Sequence, residues 1–262
     1  MFAWQQGGDG DSDGPLNAIA AAAERTQRES GGRAAVHTIV SSPERSFTVT
    51  GQVVFNDGTG RSRAVLRIPH SESEDSVELH AVLDGTVMYM RSSMFGSLPE
   101  GREWMAIDFS FGQELDMPLS AGGDAMGELE LLEAATGDVR KLGKETLRGV
   151  PTTGYSGTIS VSEQAEQAER LKEEGAEDLA SYVEEDSTPL RVEAWIDADG
   201  RVRRMRIVKS QAQMGGEGSM TTDMRMDFFD FGIAPEIDVP EPDEVFDATS
   251  LAQDAAGLSN DD

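Results

Sequence analysis

The stretch from Leu190 to Val208, LRVEAWIDADGRVRRMRIV, constrains the fold more than any other part of the chain. Apolar and polar side chains alternate through it with a period of two, the pattern of a strand with one buried face. Leu190, Val192, Ala194 and Ile196 fall on one face, and Arg191, Glu193, Trp195 and Asp197 on the other. Between the two halves, Asp199-Gly200 supplies the positive-φ position that a tight antiparallel hairpin requires. The same grammar recurs near 35–41, 46–55, 61–68, 76–83, 86–91 and 104–109, and again near 139–147, 152–161 and 219–229. The connectors in the first series are Ser-Pro-Glu, Asn-Asp-Gly-Thr-Gly, a polar run from Pro69 to Asp75, and Asp84-Gly85. All are turn chemistry and none is long enough for a crossover helix, so the strands form an antiparallel meander. The expectation is an α+β fold: about eleven strands in one large, curved antiparallel sheet, with helices covering its concave face.

Three segments carry helical spacing instead. Residues 15–30 open on Pro15, whose missing N–H costs nothing in a first turn, and stop at Gly31-Gly32. Leu16, Ile19, Ala20 and Ala23 make its apolar stripe. From 115 to 137, Leu119, Met126, Leu129, Leu132 and Ala135 recur at helical intervals. Ser160 and Glu163 have capping-box spacing and predict a helix through Tyr182, with Ala168, Leu171 and Leu179 on one side. Residues 1–14 read as a flexible polar tether, 15–250 as one domain, and 251–262 as an acidic tail, with irregular coil from Pro235. Asp9, Asp11, Asp13 and Gly14 match half of a calcium-loop pattern, but Ala20 stands where the bidentate acid belongs.

Composition removes several functions. Asp plus Glu number 49 against 22 Lys plus Arg, a formal charge of −27. Nucleic acid needs a basic surface to displace counterions, so it is disfavoured, as is docking on anionic headgroups. The excess of carboxylates reads as a solvating surface, and the Arg-, Ala- and Gly-rich usage as a GC-rich genome. With no cysteine there is no disulfide, thiolate nucleophile or Cys-bound metal. No apolar run approaches the roughly 18 residues of a membrane span, and MFAWQQGGDGDSDG lacks a signal-peptide core. An exported form therefore needs an export segment outside this chain; with nothing preceding it, the chain reads as cytoplasmic. His37, His70 and His80 have no metal-ligand spacing, Asp197 and Asp199 read as turn formers, and no Ser or Thr has an evident base. Neither a metal, a cofactor nor catalysis is expected.

Several phrases occur in a telling order. Leu83-Asp84-Gly85 with Val87-x-Tyr89 precedes Trp104 and Ile107-Asp108. Arg148-Gly149-Val150-Pro151-Thr152-x-x-Tyr155 follows, then Val192-Glu193-x-Trp195-Ile196-Asp197 and Gly200-Arg201-Val202-Arg203-Arg204. Over roughly residues 15–250 the chain resembles the LolA-like lipoproteins of the LppX and LprG type, common in actinobacteria. The resemblance implies an open half-barrel whose concave face, covered by helices, takes acyl chains of a lipid, glycolipid or lipoprotein. It also implies an extracytoplasmic, cell-envelope or secreted monomer with an envelope protein as partner. The departure is the anchor, since no lipobox cysteine precedes the tether.

The residues point to such a lining by themselves. Met88 and Met90 share one strand face, as do Met105 with Ile107, Met205 with Ile207, and Met224 with Met226 and Phe228. Val53, Leu66 and Leu79 extend the set across the first meander. Methionine is flexible and polarizable, so a face rich in it accommodates varied apolar shapes. The alternative is a sensor or protein-interaction module on the same half-barrel. Its candidate patch is Arg201, Arg203, Arg204 and Arg206, which either pairs with cross-strand acids or receives a lipid phosphate or an acidic partner.

Overall fold

The computed structural model describes residues 15–69, 76–110, 129, 132, 137–159, 190–212 and 219–255. The tether, the connector carrying His70, most of the 115–137 helix and the 160–182 helix lie outside the described residues.

Helix α1 (Pro15–Gln27) leads into six strands: β1 (Gly32–Ser41), β2 (Ser46–Asn56), β3 (Arg61–Pro69), β4 (Ser76–Asp84), β5 (Val87–Arg91) and β6 (Trp104–Asp108). A second series comprises β7 (Gly137–Leu147), β8 (Val150–Ile159), β9 (Leu190–Asp197), β10 (Val202–Ala212) and β11 (Ser219–Phe229). The chain continues into β12 (Val245–Asp247) and helix α2 (Thr249–Ala255). All join one sheet in the order β12-β6-β5-β4-β3-β2-β1-β11-β10-β9-β8-β7. Two meanders are thus stitched together by β1 and β11, whose Val36 and Met226 stand opposite each other. The sheet is open, with β12 and β7 at its edges.

Each strand expected from the period-two pattern is present, and two expectations need correction. The strand count is twelve, because β12 adds to the edge of β6, and it does so in parallel, with Phe246 opposite Met105. The segment from Pro235 is not coil throughout, since it includes β12 and α2. That segment is held by hydrogen bonds to the sheet: the Asn56 side-chain Nδ2 donates to the Pro235 carbonyl at 2.9 Å, and the Ala248 backbone N–H to Ala106 O at 2.8 Å. A three-residue strand with no alternation of its own has no local signature, so only its partner reveals it.

The main apolar cluster lies on one side of the sheet. Ile19, Ala22 and Ala23 of α1 pack there with Leu129, Leu132, Val53, Val202, Met205 and Phe228. Phe55 and Phe228 meet edge to face at a centroid separation of 6.5 Å. Burying each such side chain contributes about 1.5–3 kcal/mol. Thr26 pins the helix to the sheet: its hydroxyl donates to Ala22 O at 2.7 Å and accepts from Val202 N–H at 2.8 Å. That N–H is available because the β9–β10 ladder slips there. Val202 faces Ile196 whereas Arg204 faces Trp195, which leaves Arg203 as an extra, bulged residue. The bulge resets the alternation, so Val202 and Met205 both point into the core while Arg204 and Arg206 point out.

Candidate functional site

Register decides which side chains share a face, because a pleated strand alternates strictly between its two sides. One row runs Ala34, Val53, Ala64, Ala81, Met90, Met105 across six strands, each residue opposite the next. A second runs Ala194, Met205, Met226, Val36, Gly51, Leu66, Leu79. Ile207 stands opposite Met224, Met88 opposite Ile107, and Phe228 opposite Ala34, all two residues along from members of these rows. All twelve residues singled out from the sequence therefore stand on the inner face, the one that α1 packs against. Met220 continues the stripe four residues before Met224, opposite Gln211. The strand's own alternation marked it, and sequence reasoning passed over it. Val49 and Tyr155, which pack against the core, were missed too, Val49 having Thr neighbours and Tyr155 Gly and Ser neighbours in place of other large apolar residues.

Burial along this face is graded. Val53, Met205, Met226 and Phe228 are almost wholly buried near α1, and Leu66, Met88 and Ile207 are buried as well. Leu79, Met90, Met105, Ile107 and Met224 remain half-buried. At the centre of the second row Gly51 lets β2 and β3 pack closely: a Cβ there would stand 2.2 Å from Val65 O and 2.7 Å from Leu66 Cδ2. The face is consequently close-packed around α1 and only partly covered toward β4–β6 and the Met224 end of β11.

The outer face is built differently. The Arg204 guanidinium grips Asp227 with two hydrogen bonds of 2.5 and 3.0 Å and reaches Glu145 at 3.0 Å. Arg206 pairs with Asp223 at 2.8 and 2.7 Å and with Glu193 at 3.3 Å. The guanidinium of Arg206 holds the Asp223 carboxyl below the usual carboxylate range, against the upward pull of its partial burial. Arg201 and Arg203 converge on Asp197, whose side chain is 2% exposed, with Arg203 Nε at 2.6 Å. Burial pushes the Asp197 carboxyl up, but the Arg201 N–H and the two guanidiniums outweigh it and the net shift is downward. Asp197 also accepts from the backbone N–H groups of Asp199 and Arg201, both at 2.9 Å, as a turn former does. The arginine run is thus spent on ion pairs within the protein. His37 lies on this face opposite Thr50 and Arg225, and His80 sits 3.6 Å from Glu78. Among the described residues no three His, Asp or Glu side chains come together as a metal site.

No family model matches the chain. A stretch of 112 residues is 34% identical to an uncharacterized 31.2 kDa protein of Streptomyces griseus, covering 37% of this chain and 34% of that protein. The chain thus matches about a third of that relative's length. Among solved structures, the lipoprotein LppX of Mycobacterium tuberculosis superposes with a TM-score of 0.50 at 14% identity, over 86% of this chain and 98% of LppX. LprF of Mycobacterium bovis gives a TM-score of 0.44 at 13% identity, over 87% of this chain and 96% of LprF. A linear twelve-strand order, two meanders joined at β1 and β11, and an apolar inner face under a leading helix give this chain the fold of LppX.

Proposed function

We propose that the protein is a non-catalytic carrier or reservoir that receives the acyl chain of a lipid, glycolipid or lipoprotein against its inner face. The observation that carries this reading is the run of half-buried apolar residues, Leu79, Met90, Met105, Ile107 and Met224, continuous with a packed core. Methionine side chains reshape around apolar ligands at little cost. Each methylene moved out of water contributes about 0.8 kcal/mol, so some twelve of them give ~10 kcal/mol before the ~4–15 kcal/mol cost of association. A long chain therefore binds where a short one does not, and no polar anchor is needed. The likeness to LppX, a lipoprotein by its own description, supports a lipid or lipoprotein ligand and an extracytoplasmic location. No helix among the described residues is long and apolar enough to cross a membrane. In this reading residues 15–250 are the carrier domain, 1–14 the tether, and the protein works as a monomer that exchanges its ligand with an envelope protein.

Charged substitutions on the half-buried part of the face test it. Met90→Glu and Met224→Glu each place a carboxylate where the acyl chain would lie, an expensive burial without a partner. Met226 and Met205 are less informative because both are fully buried and a charge there attacks folding itself. Thr50→Glu, exposed on the outer face, is the control. Saturable binding of a fluorescent fatty acid by the wild type should fall about tenfold or more in the two methionine variants, the scale set by each 1.4 kcal/mol lost. The control should bind normally and all circular dichroism spectra should coincide. Absence of saturable binding by the wild type, with no lipid co-purifying from its own host, transfers the function to a protein-interaction module. Undiminished binding in both methionine variants places the ligand elsewhere.

A further inference from the structure

On the outer face, where the β7–β8 turn meets the ends of β10 and β11, lies a cavity of about 270 Å3. Leu147, Val150 and Phe229 supply its apolar wall, and Arg148, Arg203 and Arg204 its cationic one, beside Asp227 and Asp230. Arg203 is committed to Asp197, and Arg204 to Asp227 and Glu145. Arg148 differs. Its guanidinium stacks over the Phe229 ring at 3.9 Å, and among the described residues it pairs with no carboxylate. Stacking engages the flat face of a guanidinium and leaves the N–H edge free to grip an acceptor bidentately.

Two further observations set this arginine apart. Arg148 and Gly149 form the two-residue loop between Leu147 and Val150, with φ of 48° and 81°. Two consecutive positive φ values belong to a turn that favours Asn, Asp or Gly at its first position, so a long side chain there is held against preference. Backbone held in such a region at the rim of a cavity is a mark of a functional position. The charge is also anomalous. Residues 140–148 carry Arg140, Lys141, Lys144 and Arg148 against Glu145 alone, in a chain of net charge −27.

We propose that this cavity binds a monoanionic carboxylate carried on an apolar stem, gripped by Arg148 with the stem against Phe229, Leu147 and Val150. One guanidinium without a carboxylate partner among the described residues matches one negative charge, and a dianionic phosphate would meet stronger repulsion from Asp227 and Asp230. The site faces away from the inner apolar face and is independent of the acyl-chain reading. Its ligand is either a free small carboxylate or the C-terminal carboxylate of a partner chain ending in an apolar residue.

Titration of the full chain with butyrate, followed at the Arg148 Nε–H resonance at constant ionic strength, is the test. A short peptide ending in leucine, as free acid and as C-terminal amide, forms the second arm, and inorganic phosphate the third. We expect saturable shifts with butyrate and with the peptide acid, about tenfold weaker binding of the amide, and weaker binding of phosphate. A peptide acid much tighter than butyrate identifies a partner terminus as the source; parity identifies a small carboxylate. Arg148→Gly separates a binding role from a structural one. It relieves the positive φ, so the melting temperature should hold or rise while carboxylate binding is lost. No saturable shift with any carboxylate overturns the proposal. So does a marked drop in melting temperature with binding retained in Arg148→Gly, which would leave the arginine a structural stack on Phe229.

Discussion

Asp197 concentrates more interactions than any other carboxylate described here, and removing it is the sharpest test of how the β9–β10 hairpin is held. Its side chain is 2% exposed and accepts from two backbone N–H groups, from Arg201 Nε at 3.3 Å and from Arg203 Nε at 2.6 Å. Asp197→Ala takes a carboxylate from both guanidiniums, which are themselves only 21% and 15% exposed, and frees two turn N–H groups. Breaking a buried pair by deleting one partner costs about 3–5 kcal/mol. The arginines can recover some water, and Arg201 keeps Glu29 and Asp199, so about 3 kcal/mol is the expectation. At roughly 2–4 °C per kcal/mol for a chain of this size, the melting temperature should fall by roughly 6–12 °C. Urea denaturation with unchanged m-value would confirm that stability and not compactness has changed. The effect must also depend on pH. The folded carboxyl lies below its unfolded value, so its contribution is complete above the unfolded pKa of about 3.9 and disappears as pH falls through the folded value. The gap between wild type and variant should therefore be full at neutral pH and close below about pH 4. A loss under about 1 kcal/mol at pH 7, or a gap that persists at low pH, would falsify the assignment of Asp197 as the anchor of the hairpin.

Other outcomes follow from the same geometry. Gly51→Ala forces a Cβ to within 2.2 Å of Val65 O, so it should cost about 1–3 kcal/mol in urea titration; a neutral change would mean that the β2–β3 contact is loose. Phe228→Ala, at a site 1% exposed and meeting Phe55 edge to face, should cost about 3–5 kcal/mol, and a value near 1 kcal/mol would show that the end near α1 is not close-packed. At a formal charge of −27, sodium chloride should raise the melting temperature between low and moderate ionic strength, and a flat response would mean that the paired arginines already neutralise the repulsion.

What the sequence determined by itself was local. Period-two alternation identified eleven strands, and it assigned Val53, Leu66, Met90, Met226 and their fellows to one face, because a strand's two sides follow from the pleat alone. Asp199-Gly200 marked its turn for the same reason: Gly200 adopts φ of 79°. The rest depended on segments distant in the chain. Val36 meets Met226 only because β1 and β11 pair, joining two meanders that could each have remained a separate sheet. The Arg201–Arg206 run read first as cross-strand ion pairs, with a partner-binding patch as the alternative, and only β11 supplied the partners, Asp223 and Asp227. β12, three residues long, exists only because β6 offers an unpaired edge. Tertiary structure also separated the packed part of the methionine face from the half-buried part, since burial depends on what α1 covers, and alternation is blind to that.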